Sequence, residues 1–322
     1  MATWFALFAI GPAWGSTVLA VVSQQAGTVT LVDTDQAIAV ATIAVPRVPA
    51  GIAAAPDGSR MYVTHPDLGL VSRIDVTRRR VDAQFRVGRE PFGIAVIDGG
   101  RALVVSDWDG DALIRVDAET GVETGRAAVG RSPAGIAVDE TTGRVYVADR
   151  EGATLSVVDL SAMTRIAAVP TGRAPFALAL SPDRARIFVA NVQSGDVSVI
   201  VADGLREMAR PRVGLMPYGV AVASDGSRVL VSNQQSGKLA MLDPDTLAVT
   251  TTMRIGAYPE GIVSLSPARA AAVDWAGDEL VLIDLAELRI AVRIRVAAGP
   301  RSLTILPENG SMDEARKDRA SP

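Results

Sequence analysis

A repeat with a period of 42 residues runs through this chain and limits its fold more than any other feature. The pattern Pro-x-Gly-Ile-Ala, or a close variant, occurs seven times, with six copies spaced by 42 residues and the last by 41. The copies start at Pro49, Pro91, Pro133, Pro175, Pro217, Pro259 and Pro300. A fixed period of this length indicates an architecture built from one repeated supersecondary unit.

A second marker follows the same period. Aspartate recurs at one position of the repeat, and Val201 replaces it in one unit. The aspartates are Asp33, Asp75, Asp117, Asp159, Asp243 and, one residue early, Asp284. Since each follows a β-branched or apolar run, we expect its carboxylate to cap the next turn.

Each repeat has the composition of four short strands. In one copy these are Gly135–Val138, Arg144–Ala148, Thr154–Val158 and Arg165–Val169, separated by turns rich in Gly, Asp and Thr. β-branched and aromatic residues favour strands. Four strands with tight turns in about 40–45 residues are typical of a β-propeller blade.

The chain ends predict how the ring of blades closes. The N-terminal part supplies three strands, Val18–Val22, Thr28–Val32 and Ile38–Val45, whereas the C-terminal part supplies one innermost strand, Ser302–Leu306. Together they make one blade, which removes exposed sheet edges. The sequence therefore predicts an all-β fold, a seven-bladed β-propeller of four-stranded blades closed by a C-terminal innermost strand joining three N-terminal strands.

The segments outside this propeller, expected over residues 16–307, differ in character. Residues 1–15 are apolar and end in Ala13-Trp14-Gly15-Ser16, a small-x-small pattern that predicts a signal peptide. The stretch is too short to span a bilayer, so we expect no membrane span. Because a signal peptide directs export, we expect a periplasmic or secreted protein. Residues 308–322 are polar and predict a flexible tail.

Composition excludes several classes of function. The chain has no cysteine and one histidine, His65, which excludes thiolate sites, His-rich metal centres and bis-His heme ligation. A net charge of −4 argues against nucleic-acid binding. We therefore expect no cofactor and no metal, and a protein partner or a small anionic ligand as the binding partner.

Several strands carry a family resemblance. Met61–Thr64 (Met-Tyr-Val-Thr), Val145–Asp149 (Val-Tyr-Val-Ala-Asp) and Ile187–Asn191 (Ile-Phe-Val-Ala-Asn), with Ser156–Asp159 and Ser181–Asp183, resemble the YVTN repeat family. The resemblance covers residues 17–307. It implies the propeller fold, and relatives among surface and periplasmic proteins and, more distantly, propeller subunits of quinoprotein amine dehydrogenases. Fold alone does not carry function across such a group.

Two sets of loops are expected to form a binding mouth. The loops that enter the innermost strands carry arginines in four consecutive repeats and then apolar residues in the other three. These arginines are Arg47, Arg89, Arg131 and Arg173. In the last three repeats the residue after the proline is polar: Tyr218, Glu260 and Arg301. The arginines predict carboxylate or phosphate binding, although an Arg-rich solvated loop is an alternative.

The loops after each second strand carry Asx residues, His65 and two tryptophans. Asp107, Asp149, Asn191, Asn233 and Asp274 occupy one position, which allows an oxygen-ligand calcium site or ordinary turn formation. Trp108 and Trp275 each follow an aspartate in similar loops. They are docking anchors or they pack on their own blades.

Three functions remain open from the sequence. The first is a non-catalytic binding propeller of the periplasm or cell surface. The second is a propeller subunit or accessory protein of a periplasmic, quinoprotein-type oxidoreductase whose redox group lies on a partner. The third is a lactonase-like hydrolase using Glu260, Glu90 or aspartates. No catalytic set of residues can be assembled, so the sequence favours a non-catalytic protein.

Overall fold

The computed structural model describes residues 17–307 and shows seven four-stranded antiparallel sheets. The predicted seven-bladed β-propeller is therefore confirmed. Segments 1–16 and 308–322, which contain the predicted signal peptide and tail, lie outside the described residues. Among residues 17–307, no helix has the length and apolar character that crossing a bilayer requires.

Each blade runs outward from an innermost strand. Blade 1 contains β28 (Pro300–Leu306), β1 (Val18–Ser23), β2 (Thr28–Asp33) and β3 (Ile38–Ala44). Blade 2 contains β4 (Ile52–Ala54), β5 (Arg60–His65), β6 (Leu70–Asp75) and β7 (Arg80–Arg86). Blade 3 contains β8 (Pro91–Ile97), β9 (Ala102–Asp107), β10 (Ala112–Asp117) and β11 (Glu123–Ala128). Blade 4 contains β12 (Pro133–Asp139), β13 (Arg144–Asp149), β14 (Thr154–Asp159) and β15 (Thr164–Pro170).

The remaining three blades repeat this order. Blade 5 contains β16 (Pro175–Leu180), β17 (Arg186–Asn191), β18 (Asp196–Val201) and β19 (Arg206–Ala209). Blade 6 contains β20 (Pro217–Val222), β21 (Val229–Asn233), β22 (Lys238–Leu242) and β23 (Val249–Arg254). Blade 7 contains β24 (Pro259–Ser266), β25 (Arg269–Asp274), β26 (Glu279–Asp284) and β27 (Arg289–Arg295). Short 3-10 turns cover Pro66–Leu68 and Asp98–Gly100.

Blade 1 joins the two ends of the chain as predicted. β28 pairs antiparallel with β1, with Leu306 opposite Val18 and Leu303 opposite Val21. Leu303 is 9% exposed and packs with residues of blade 7. The joint therefore closes both the sheet of blade 1 and the apolar contact to its neighbour.

The core lies between neighbouring blades. The second and third strands are buried along nearly their whole length, as in β5 and β6, whereas outermost strands such as β7 alternate between exposed and mostly half-buried positions. Clusters therefore combine two blades: Met61 and Val63 of blade 2 pack with Val29 and Leu31 of blade 1. Burial on both faces accounts for the continuous β-branched runs in these strands.

The glycine of the repeat is required by close approach to the next blade. A Cβ atom on Gly51, Gly93 or Gly135 would lie 2.4 Å from a backbone carbonyl oxygen of the following innermost strand. Backbone cannot move aside as a flexible side chain can, so only glycine fits.

Buried hydroxyls connect the same strands. The Ser106 hydroxyl accepts a hydrogen bond from the Gly93 N–H (2.7 Å) and donates one to the Ala134 carbonyl of the next blade (2.6 Å). Thr64 repeats this arrangement between blades 2 and 3. These bonds fix the innermost strands around the axis and thereby position the loops at one end of the channel.

Candidate ligand-binding site

The candidate site is the mouth of the propeller, where the two predicted loop sets meet at one end of the axis. One set enters each innermost strand and the other follows each second strand. An open pocket of about 470 Å³ lies here. A second cavity of about 260 Å³ lies among the innermost strands and shares Phe92, Phe176, Tyr218 and Arg301 with the first. The mouth thus continues into the central channel.

The pocket draws on three positions of the repeat. The residue after the proline supplies Phe92, Phe176, Tyr218 and Arg301; the residue before it supplies Val48, Glu90 and Met216; the residue after the second strand supplies Gln24, Pro66, Trp108, Arg150 and Val192; and Asp67 completes the lining. Since the repeat fixes the backbone and not these side chains, the chemistry of the mouth varies from blade to blade.

Four aromatic rings form a continuous wall. Phe92 lies 5.2 Å from Trp108 and 5.5 Å from Phe176, and Phe176 lies 4.3 Å from Tyr218 between ring centroids. Ala134, in the blade between Phe92 and Phe176, is small and fully buried, and it leaves room for the two rings to meet. The wall presents apolar, polarisable surface to the pocket.

Arg301 lies against this wall. Its guanidinium carbon is 5.4 Å from the ring centroid of Phe92 and 5.9 Å from that of Tyr218, within cation–π range. Its Nη2 atom donates a 2.6 Å hydrogen bond to the Tyr218 hydroxyl. Burial raises the pKa of the Tyr218 phenol, so the phenol stays neutral and accepts this bond. Arg301 is thereby held in one orientation with its charge retained.

Glu260 is buried beside Arg301, 5% exposed. Its Oε1 atom accepts a 2.6 Å hydrogen bond from Gln234, while Oε2 lies 3.8 Å from the Arg301 Nε atom. Burial raises the pKa of this carboxyl to about 7, because desolvation outweighs the opposing effects of Arg301 and Gln234. Glu260 therefore changes protonation close to neutral pH.

Part of the pocket lining is acidic. Asp67 and Glu90 line it, and burial together with the neighbouring carboxylates of Asp109, Asp67 and Asp107 raises the pKa of Glu90. Arg150 also lines the pocket, with its guanidinium carbon 5.7 Å from the Trp108 ring and an ion pair to Glu151. The pocket lining thus combines cationic, acidic and aromatic side chains.

The four arginines predicted in the loops before the innermost strands do not line this pocket. Arg47, Arg89, Arg131 and Arg173 are exposed on the surrounding loops. Arg89 is 3.6 Å from Asp109, and Arg131 donates to the Glu151 carbonyl. They form an outer rim, and binding through them stays a prediction.

The other predicted residues divide between pocket and blade. Tyr218, Arg301 and Trp108 line the pocket, and Glu260 lies directly behind Arg301. Trp275 packs on Tyr258 of its own blade, 6.0 Å between ring centroids, and is not part of the lining. Although their loops are alike in sequence, only one of the two tryptophans therefore reaches the pocket.

The Asx residues after the second strands hold the mouth loops in place. Asp107 accepts hydrogen bonds from the Arg89 and Glu90 N–H groups, and Asp274 accepts them from Ala257 and Tyr258. His65 occupies the same position, fully buried, with Nδ1 3.3 Å from a loop carbonyl. In residues 17–307 no three His, Cys, Asp or Glu side chains are grouped to hold a metal ion. Asp107 and Asp274 therefore hold the turns of the mouth loops through these hydrogen bonds.

Sequence reasoning did not single out Arg150, Phe92 or Phe176 as site residues, and it named Glu90 only for a lactonase-like hydrolase. Phe92 and Phe176 occupy the repeat position of Tyr218, and Arg150 occupies that of Trp108. The sequence signal for these residues was that their two positions vary from repeat to repeat while the rest of the repeat is regular. This variation could not show which of the variable side chains lie close together.

Comparisons with known proteins agree with this fold. The family model described as Cytochrome D1 heme domain matches residues 15–145. No curated protein matches the sequence. The chain thus has a cytochrome D1-like propeller fold. The fold implied by the YVTN resemblance is confirmed, although the family that the comparison names is the D1 heme domain.

Three solved structures illustrate the similarity. Hydrazine synthase of Kuenenia stuttgartiensis has a TM-score of 0.75 at 16% identity, covering 88% of this chain and 99% of that chain. A functionally unknown protein from Desulfotomaculum acetoxidans DSM 771 has a TM-score of 0.79 at 14% identity, covering 91% and 100%. Dihydro-heme d1 dehydrogenase NirN in complex with DHE has a TM-score of 0.68 at 16% identity, covering 92% and 77%. Identities this low establish shared fold alone.

Proposed function

We propose that this chain is a propeller subunit or accessory protein of an oxidoreductase in the cell envelope, and that its mouth binds a planar organic acid on which that system acts. The observation that carries the proposal is the mouth itself. Four aromatic rings and the cation of Arg301 face one pocket of about 470 Å³. Aromatic walls bind flat apolar surface, and a fixed guanidinium binds a carboxylate.

The comparisons favour this function over a free-standing binding propeller. Two similar structures are named as hydrazine synthase and dihydro-heme d1 dehydrogenase, and the matching family model is named for a heme domain. The apolar segment 1–15, proposed as a signal peptide, supports an envelope location. A lactonase-like role finds less support, because the described mouth gathers no metal-binding carboxylates.

A resident heme iron does not fit the residues of the mouth. Heme iron is held by His, Cys, Met or Tyr side chains. The chain has no cysteine, and its one histidine, His65, is buried beneath a loop outside the pocket. Tyr218 is kept neutral and bonded to Arg301, which leaves only the thioether of Met216. The redox group is therefore assigned to a partner or to the bound ligand.

Binding of protoporphyrin IX with and without iron tests the ligand side of the proposal. We expect both to bind with similar affinity, because the pocket recognises a flat ring and carboxylates but offers no good iron ligand. Quenching of tryptophan fluorescence measures the affinity. Binding that requires iron would contradict the conclusion that the mouth offers no good iron ligand. If neither compound bound, planar tetrapyrroles would be excluded as ligands of the mouth.

Trp108 and Trp275 provide a matched pair for locating the ligand. Trp108→Ala removes part of the aromatic wall, and we expect porphyrin affinity to fall about tenfold, which corresponds to about 1.4 kcal/mol. Trp275→Ala changes an equivalent loop outside the pocket and should leave the affinity unchanged. Equal effects of the two substitutions would place binding elsewhere.

The partner is tested separately, by purifying the tagged chain from the envelope of the organism that encodes it. We expect an identified oxidoreductase subunit to co-purify through the exposed arginine rim. Arg89→Ala with Arg131→Ala should weaken this association and reduce its salt dependence. Arg80→Ala with Arg101→Ala, exposed at the opposite end, is the control. If both double variants recovered the partner equally well, the exposed arginines would not be its binding surface.

A further inference from the structure

One cation serves both the pocket and a buried carboxylate. Arg301 lines the pocket with its side chain 21% exposed, and its Nε atom lies 3.8 Å from Oε2 of Glu260. That distance is longer than a hydrogen bond, and Oε2 forms none within residues 17–307. A carboxylate oxygen that is buried and unbonded depends on the nearby charge of Arg301 to stay ionised.

Few other groups act on Glu260. Gln234, in the loop between β21 and β22, bonds the other carboxylate oxygen and carries no charge. Tyr218 on β20 is neutral and accepts a hydrogen bond from Nη2 of Arg301. Arg150 lies over the Trp108 ring and is not among the groups that shift the pKa of Glu260. Among the charged groups of the described chain, Arg301 alone thus opposes the effect of burial on Glu260.

We propose that Arg301 is a carboxylate-binding subsite of the mouth, and that binding of a ligand carboxylate there is accompanied by uptake of one proton by Glu260. The ligand carboxylate replaces the Glu260 carboxylate as the counter-ion of Arg301. One proton from solvent neutralises Glu260, so the net charge of the buried group stays constant. The inference deepens the proposed function, since it rests on the mouth being the ligand face.

The direction of the pH dependence follows from linkage. Without ligand, Glu260 has a pKa of about 7. A second anion at Arg301 raises this pKa further, so the complex binds more protons than the free protein. Below about pH 6 Glu260 is already neutral and affinity is highest. Above the free-state pKa, affinity falls by up to about tenfold per pH unit.

The test uses two probes of similar shape, the anionic naphthalene-2-carboxylate and the neutral naphthalene-2-carboxamide. Calorimetric titration at pH 6, 7 and 8, in buffers of different ionisation enthalpy, gives affinity and the number of protons taken up. For the unaltered protein we expect carboxylate affinity to fall between five- and tenfold from pH 7 to pH 8. Proton uptake should approach one at pH 8, and the carboxamide should show neither effect.

Glu260→Gln isolates the proton acceptor. This variant should bind the carboxylate equally at pH 6 and pH 8, with the affinity that the unaltered protein has at pH 6 and with no proton uptake. Glu287→Gln, an exposed carboxylate at the opposite end, is the control and should behave like the unaltered protein. Circular dichroism and thermal melting establish that both variants are folded.

The outcomes separate this inference from the proposed function. If both probes bind but the carboxylate shows no pH dependence, or if Glu260→Gln keeps that dependence, proton uptake by Glu260 is wrong while the mouth remains the ligand face. If neither probe binds the unaltered protein at pH 6, the carboxylate subsite is wrong, and failure to bind porphyrin as well would overturn the ligand face itself.

Discussion

The pKa of a buried carboxyl group in this protein depends on burial and on the polar groups that contact it. The balance between burial and these contacts raises the pKa of Glu260 and lowers that of Asp75. Burial dominates at Glu260 and raises its pKa to about 7. Burial would also raise the pKa of Asp75, but the Arg78 N–H, the Arg78 guanidinium and Arg60 outweigh it and lower that pKa to about 2. The number of donors that reach the carboxylate decides the sign.

Asp75 should therefore stabilise the fold at neutral pH. Its folded-state pKa of about 2 lies below the ordinary value of 3.8, so the stabilisation is present above about pH 4 and is lost as pH falls toward 2. We expect Asp75→Asn to lower the free energy of unfolding by about 1–2 kcal/mol at pH 7. Urea denaturation at pH 7 and pH 2 measures this. A difference between the two proteins that is as large at pH 2 as at pH 7 would contradict the electrostatic explanation.

Strands are held to their neighbours by different means along each blade. Within a blade, neighbouring strands are joined by backbone hydrogen-bond ladders, whereas between blades apolar packing is supplemented at the innermost strands by buried hydroxyls. Thr64, Ser106 and Ser232 each accept from a glycine N–H of their own blade and donate to a carbonyl of the next. This explains why a polar residue interrupts an otherwise apolar buried strand.

Ser106→Ala should show the contribution of such a link. Because the substitution leaves the Gly93 N–H and the Ala134 carbonyl without their buried partner, we expect a loss of about 1–3 kcal/mol in unfolding free energy. Ser227→Ala, at an exposed turn, should cost less than about 0.5 kcal/mol. Chemical denaturation of both variants makes the comparison. Similar values for the two would mean that Ser106 adds no stability.

The whole molecule depends on a joint between segments that are far apart in sequence. The register of β28 on β1 brings Leu303 opposite Val21 and Leu306 opposite Val18. In the closed ring every innermost strand is paired. β28 and β1 are paired without a loop between them, so we expect the ring to open most easily at this joint.

Neighbouring positions on β28 test the joint. Leu303 is buried against blade 7, and Leu303→Ala should cost about 2–5 kcal/mol. Ile305, on the same strand, is 37% exposed, and Ile305→Ala should cost less than half as much. Thermal and denaturant unfolding, with size-exclusion chromatography to detect opened or associated rings, provide the measurement. Equal costs would show that packing of β28 does not limit stability.

The sequence by itself determined the number of blades, their strands and the way the ring closes, because these follow from a local pattern repeated every 42 residues. It also predicted Tyr218, Glu260, Arg301 and Trp108 as residues of the mouth. It did not reveal that Arg150 lines the pocket while the four predicted loop arginines do not, or that Trp275 packs on its own blade. Those outcomes depend on which side chains of different blades meet across the axis. That proximity exists only once the ring is closed.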